Sequence, residues 1–307
     1  MVVDAVDYKR LTTIAMFWIF MVMLDQLLNR TTFIVGNKKN AGKTTFLNYL
    51  LGHLRQKTRV AYLSIGVDGE TADQIFGFEK PRVVTEKDDI VVTSETALKH
   101  TAATYEVLEK FPYQTVLGRP VLVRVKNGGA IELIGPENNS QLSVILNNIK
   151  KKAKVDTILV DGAINRNTQV SSIEGAAFVY IARVEKWRLL SAVEDIKRIF
   201  ELSKCRSLQA DQKEILSIRG ALTSARGEKI GKDIKIVVVD DFTKVFLDYR
   251  ELLRFKKEHR LCYKTDFDLL SCVVNLIDVG QEEFLAALSD KKLEKRIVFN
   301  PMNAKFL

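Results

Sequence analysis

Gly36-Asn37-Lys38-Lys39-Asn40-Ala41-Gly42-Lys43-Thr44-Thr45 decides how the rest of the chain is read. Before it, Thr31 to Val35 is a β-branched and aromatic run, the mark of a buried strand. After it, Lys43 to Gln56 carries apolar residues at Phe46, Leu47, Leu50, Leu51 and Leu54, one face of a helix. A strand, a glycine-bounded turn and a helix, in that order, are the setting of a phosphate-binding loop. Backbone N–H groups of such a turn point inward at phosphate oxygens. The helix that follows opens with unpaired N–H groups and a partial positive charge. Gly42 lets the backbone approach closely, Lys43 is placed to reach the outer phosphates, and Thr44 to set its hydroxyl on Mg²⁺. Five residues separate the two glycines here, where the commoner form has four.

Working outward, Arg59 to Ile65 returns as a strand ending at Gly66, so the chain opens as β–loop–α–β, the start of a parallel sheet. A magnesium–nucleotide site needs carboxylates at the ends of neighbouring strands. Asp161 ends the apolar run Thr157-Ile158-Leu159-Val160 and is the expected holder of the metal. Asp68-Gly69-Glu70 follows the second strand and faces the same crevice in a doubly wound sheet, where its carboxylates can bind metal, orient water or meet a second substrate. Arg166 is a further candidate for a phosphate contact. Lys43, Asp161, Asp68 and Glu70 are the expected catalytic groups, residues 36–45 the nucleotide cradle, and Thr44 and Asp161 the metal ligands.

Further along, Arg82 to Val84 and Ile90 to Thr93 read as short strands. Thr115 to Val125 and Ala130 to Ile134 read as a hairpin turning at Lys126-Asn127-Gly128-Gly129. Ser140 to Lys152 and Trp187 to Leu202 read as helices, and Ala176 to Ala182 as a strand. Beyond Cys205, Glu214 to Arg219, Ile234 to Val239 and Arg296 to Phe299 read as strands, with helices over Phe242 to His259 and Gln281 to Lys291. The expected fold is therefore a P-loop NTPase-like three-layer α/β/α arrangement. Its sheet is mostly parallel, with an inserted β-hairpin and a C-terminal α/β extension. Residues 1–24 form an apolar extension, 25–206 the nucleotide-binding domain and 207–307 a further α/β subdomain, either separate or adding strands to the same sheet.

Composition narrows the classes. The chain has 307 residues, 47% hydrophobic and 28% charged, ordinary globular usage that excludes a disordered or collagen-like chain and a multi-span membrane protein. Its three cysteines, Cys205, Cys262 and Cys272, are far apart and odd in number. They fit reduced thiols in a cytoplasmic protein better than a disulfide scaffold or zinc ribbon. The net charge of +9 permits anionic partners without choosing among them. Basic runs such as Lys150-Lys151-Lys152 read as solvated faces, so no nucleic-acid partner is expected. Leu11 to Leu24 is uncharged over fourteen residues, short of the roughly 20 that span a bilayer. It reads as a packed helix, as residues upstream of a start at Met21 or Met23, or as a short membrane anchor. His53, His100 and His259 are scattered, with no metalloprotease pairing and no nucleophile elbow.

The same five-residue loop spacing resembles that of dethiobiotin synthetase and related ATP-using enzymes. Lys38, five residues before Lys43, resembles in part the extra lysine of ATPases that reach phosphate across a homodimer. The whole series resembles the small P-loop subunit of the reactivase for lysine 5,6-aminomutase (the KamB type). The matching steps are Gly36, Lys39, Asn40, Ala41, Gly42, Lys43 and Thr44; Asp68, Gly69 and Glu70; and Glu79, Lys80, Pro81 and Arg82. They continue with Leu117, Gly118 and Arg119; Gly135 and Pro136; and Asp161, Gly162, Ala163 and Arg166, so that the likeness covers residues 31–200. That resemblance implies an ATP- and Mg²⁺-dependent ATPase that helps an adenosylcobalamin-dependent aminomutase release inactivated cobalamin, working with a MutS-like ATPase subunit. The alternative reading is an ATP-dependent ligase for a small acid, with Asp68 or Glu70 meeting that substrate.

Overall fold

The structure is a computed structural model, described here for residues 18–38, 40–65, 82–115, 117–162, 173, 175–208 and 214–300. Its organising contact is the one the apolar spacing foretells. Helix α2 (Lys43–Leu54) buries Phe46, Leu47, Leu50, Leu51 and Leu54, each fully buried side chain contributing about 1.5–3 kcal/mol. They pack on Ile34, Leu159, Val179, Ile181 and Val273 of the sheet beneath. A helix over residues 18–26, α1, joins the same cluster through Phe20, Met23 and Leu24. Its Phe20 ring lies 5.0 Å from Tyr49 and 5.3 Å from His53 of α2. The described part of the apolar N-terminal run is thus a packed helix, while its first residues lie outside the described set. Among the described residues no helix is long and apolar enough to cross a membrane.

Among the described residues sixteen strands follow in chain order. They are β1 Thr31–Gly36, β2 Val60–Ile65, β3 Val83–Thr85, β4 Ile90–Ser94, β5 Thr104–Lys110, β6 Pro120–Asn127, β7 Gly129–Ile131 and β8 Thr157–Gly162. The second half holds β9 Ala177–Glu185, β10 Ile215–Ser217, β11 Leu222–Thr223, β12 Ile236–Val239, β13 Val245–Phe246, β14 Arg260–Tyr263, β15 Asp268–Ile277 and β16 Ile297–Phe299. Nine make the central sheet, in the order β16-β15-β9-β1-β8-β2-β4-β6-β5. From β16 to β4 every pairing is parallel, and β6 and β5 are antiparallel at one edge. Alternate residues of β1 divide between two cores: Ile34 faces α2, whereas Phe33 and Val35 face the opposite side. There the sheet is covered by α3 (Asn139–Asn148) and α4 (Leu189–Ser203), with Leu142, Ile145, Val193 and Ile196 inward. Helices on both faces of a mostly parallel sheet give a mixed α/β fold in three layers.

The expected hairpin is corrected. Its glycine turn separates two strands that do not pair: β6 lies between β4 and β5, while β7 pairs antiparallel with β3. The antiparallel insertion is β5 with β6. The helix expected over Phe242 to His259 begins only at Tyr249, behind a 3-10 turn and the short β13; Asp248 caps it with a reciprocal capping box to Glu251. The later part of the chain does two things. β10, β12 and β14 build a separate three-stranded parallel sheet, and β15 and β16 extend the central sheet beside β9.

Candidate functional site

The loop leaves β1 at Gly36, whose strand is buried through Val35. Asn37 takes over where the ladder stops. Its backbone N–H donates to the Ile181 carbonyl at 3.0 Å. Its carboxamide donates to the Arg183 carbonyl at 3.2 Å and accepts from the Arg183 N–H at 3.1 Å. The base of the loop is therefore tied to β9 on three bonds. Lys38 donates to Glu185 Oε2 at 2.5 Å, and Arg183 reaches the other oxygen of that carboxylate at 3.1 Å. The Lys38 bond, with Arg183 beside it, holds the Glu185 carboxyl below its ordinary range. Lys39 lies outside the described residues. Asn40 is left-handed at φ 56°, Ala41 is buried, and Gly42 starts α2 at φ 95°.

Gly42 carries no side chain to cap α2, and the first turn of the helix holds no acidic residue. The leading N–H groups of a twelve-residue helix are thus left for an anion. A Cβ on Gly36 would come within 3.3 Å of Lys43 Cγ and Cδ, so the Lys43 side chain folds back over the mouth of the loop. Lys43 makes no hydrogen bond or ion pair with any described residue. Thr45 is exposed.

The two expected metal ligands meet. Thr44 Oγ1 donates to Asp161 Oδ2 at 3.1 Å, a contact between residues far apart in sequence that pairing of β1 with β8 brings together. Asp161 also registers with Ser64 on β2, whose hydroxyl donates to the Leu133 carbonyl at 3.1 Å. Among the described residues no group of three His, Cys, Asp or Glu side chains forms a ready-made metal site. A cation between Thr44 and Asp161 would need oxygens from its ligand as well, which is how magnesium is held with phosphates.

Asp68, Glu70 and Arg166 lie outside the described residues, as do Glu79 to Pro81 and Ala163. The other matching steps fall around the carboxyl edge of the sheet. A Cβ on Gly135 would stand 1.6 Å from the Ser64 carbonyl oxygen, so only glycine lets that chain cross the end of β2. Leu117 and Gly118, with Arg82, Thr96, His100 and Glu132, line a cavity of about 420 Å³ beyond the end of β4.

Sequence reasoning missed Arg183 and Glu185 at the end of β9, Asn275 on β15 and Asn300 after β16. Asn275 Nδ2 stands 3.1 Å, and Asn300 Nδ2 3.7 Å, from the position of a Cβ on Gly42. The available signal was the break in apolar alternation at these strand ends: Val179, Ile181, then Arg183; Val273, then Asn275. Compared with protein-family models, with curated proteins and with solved structures, the chain matches none.

Proposed function

We propose that this chain is a P-loop NTPase that binds a magnesium–nucleotide complex, with ATP as the nucleotide, in residues 36–45 and hydrolyses it. The observation that carries the reading is the 3.1 Å bond to Asp161 from Thr44, in the first turn of a helix whose leading N–H groups have no side-chain cap. The hydroxyl and the carboxylate are the donor pair a magnesium ion takes beside phosphate. Magnesium, when bound, neutralises phosphate charge. The chain's own part is to cradle phosphate oxygens on the loop N–H groups and to extend Lys43, uncommitted among the described residues, over the outer phosphates. Asp68 and Glu70 are the proposed groups to orient the attacking water.

The resemblance supplies the use of that turnover: reactivation of an adenosylcobalamin-dependent aminomutase in the cytoplasm, with a MutS-like ATPase subunit as partner. Lys38 pairs with Glu185 of its own chain at 2.5 Å, so a homodimer built on a trans-acting Lys38 would first have to break that pair. The ligase reading draws support from the cavity lined by Arg82 and His100 at the same sheet edge, a seat for a small acid.

The test is Mg²⁺-ATP binding and hydrolysis by the full chain, alone and with an inactivated aminomutase plus the MutS-like subunit. Turnover that rises with the partners and restores mutase activity supports reactivation. ATP binding with no partner effect, together with turnover of a small acid, favours the ligase. Lys43→Ala is expected to lose nucleotide binding, and Asp161→Asn to lose the Mg²⁺ dependence while keeping its melting temperature. Unchanged ATP affinity in Lys43→Ala sinks the assignment.

A further inference from the structure

The loop after β1 lies at the carboxyl edge of the central sheet, and the opposite edge has chemistry of its own. Strands β1, β9, β15 and β16 are parallel neighbours, so their starts lie together. Arg30 precedes β1, Asp268 opens β15 and Arg296 precedes β16. Across these starts the end of α4 comes near α1, and a cleft of about 620 Å³ lies between them. Ile19, Met23, Phe200 and Leu269 give it apolar walls. Five cations, Arg30, Lys204, Arg206, Lys295 and Arg296, stand around it, against the single carboxylate of Asp268 among the described residues.

The positive charge is not cancelled locally. Arg30 at 3.0 Å and Arg206 at 3.7 Å share Asp268, and Lys204 pairs with Glu201. Lys295 and Arg296 are exposed and have no carboxylate partner among the described residues. Lys204 and Arg206 also border a neighbouring cleft with Lys256, Lys257 and Arg260, so the charge continues to the start of β14. Beside these cations, Trp18 and Val22 stand one turn apart on the same face of α1. They are 64% and 55% exposed, while Phe20, Met23 and Leu24 of the same helix pack inward.

We infer, independently of the phosphate-loop reading, that this edge docks on an anionic lipid surface, with Trp18 and Val22 entering the headgroup layer and the cations pairing with lipid phosphates. Tryptophan is a side chain that settles at the membrane interface. Exposed apolar residues beside Lys and Arg are the pattern of a helix that lies in that layer. Anionic headgroups attract the cations electrostatically, and the attraction fades with salt. Trp18 and Val22 stand out from the cleft rather than closing it, which suits entry into a soft layer better than packing on a folded acidic partner. A nucleic-acid backbone would use the cations and leave Val22 and Ile19 unused. Docked this way, the carboxyl edge with residues 36–45 faces away from the bilayer.

The two tryptophans, Trp18 and Trp187, make the orientation readable, because Trp187 follows β9 at its carboxyl end and is 79% exposed. The experiment is sedimentation of the full chain with vesicles of phosphatidylcholine alone and of equimolar phosphatidylcholine and phosphatidylglycerol. Tryptophan fluorescence of Trp187→Phe and Trp18→Phe chains is then read on the anionic vesicles with brominated acyl chains. The wild-type chain is expected to bind the anionic vesicles, to ignore the neutral ones, and to come off as salt rises. Trp18 emission is expected to shift to the blue and be quenched, and Trp187 emission to stay unchanged. Arg206→Ala and Lys295→Ala, at exposed positions, are each expected to weaken partitioning about fivefold, with melting curves like the wild type. A wild-type chain that ignores the anionic vesicles overturns the inference and needs no variant to do so. Quenching of Trp187 as strong as that of Trp18 overturns it too, since it would put the other edge on the lipid. Binding of polyglutamate without binding of vesicles likewise overturns it and gives this edge to an acidic protein.

Discussion

Gly42→Ala separates what the loop does for folding from what it does for a ligand. Gly42 sits at φ 95° and ψ 18° at the head of α2. An L-residue held in left-handed backbone costs about 1–2 kcal/mol. The added methyl also meets Asn275 Nδ2 at 3.1 Å, a flexible carboxamide that can withdraw by a few tenths of an ångström. Urea unfolding should therefore show a loss of about 1–2 kcal/mol, with the slope unchanged. The effect on a ligand is larger. Relief of the strain turns the peptide out of its positive φ and takes an N–H away from the cradle. One charge-assisted hydrogen bond is worth about 1.5–3 kcal/mol, so affinity falls by at least about tenfold. At 100 times the dissociation constant, Mg²⁺-ATP should stabilise the wild-type chain by about 2.7 kcal/mol. The same concentration should stabilise the variant by about 1.4 kcal/mol or less. A variant that loses its 1–2 kcal/mol yet keeps the full ligand-induced gain would show that the Gly42 backbone takes no part in binding.

Two further outcomes follow from buried polar groups. Asp89 is nearly buried and accepts from Arg55 Nε and Nη2 at 3.1 and 2.7 Å and from the Tyr62 hydroxyl at 2.7 Å. Asp89→Ala leaves the mostly buried Arg55 guanidinium with only the exposed Glu86 at 2.9 Å and the Val84 carbonyl at 2.7 Å, and takes the acceptor from the Tyr62 hydroxyl. It should cost about 2 kcal/mol in urea unfolding, and a loss below about 1 kcal/mol would mean that water already screens the network. The Tyr62, Tyr180 and Tyr263 phenols are pushed up by burial. Because their folded values lie above the unfolded value near 10, the stability they contribute is full below about pH 10 and is lost as pH rises beyond it. In a phenolate absorbance titration, three of the eight tyrosines should ionise only as the chain unfolds. Reversible titration of all eight with the fold intact would contradict this burial.

The parts of the fold legible in the sequence are those where local pattern and tertiary role coincide. The five apolar positions read from α2 are the five it buries, because helix period alone decides which face meets the sheet. Asp161 was legible for the same reason, as the polar end of an apolar run. Strand pairing was not. Lys126 to Gly129 looks like a hairpin turn, yet its two strands pair elsewhere, since a turn sequence constrains local geometry and not the partner. β5 escaped notice because its face is largely solvated, with Glu106, Glu109 and Lys110 along it. β15, read as Asp268-Leu-Leu-Ser-Cys-Val-Val-Asn-Leu-Ile277, is a nearly continuous apolar run whose period does not tell strand from helix. Missing that strand also concealed Asn275, and no local pattern foretold the pairing of Lys38 with Glu185.

The place of β15 has a consequence for synthesis on the ribosome. β9 has one neighbour, β1, that precedes it in the chain, and another, β15, made only after residues 186–267. Until then the nascent chain offers Ala177-Phe-Val-Tyr-Ile-Ala182 as an apolar strand with one edge open. Such an edge is a template for pairing with other chains, and closing it waits on a distant, slow contact. Translation that stalls before residue 268 would leave the loop after β1 already tied to β9 on a sheet prone to self-association. Release of the last strands would then act as the commitment step between a soluble product and an aggregate.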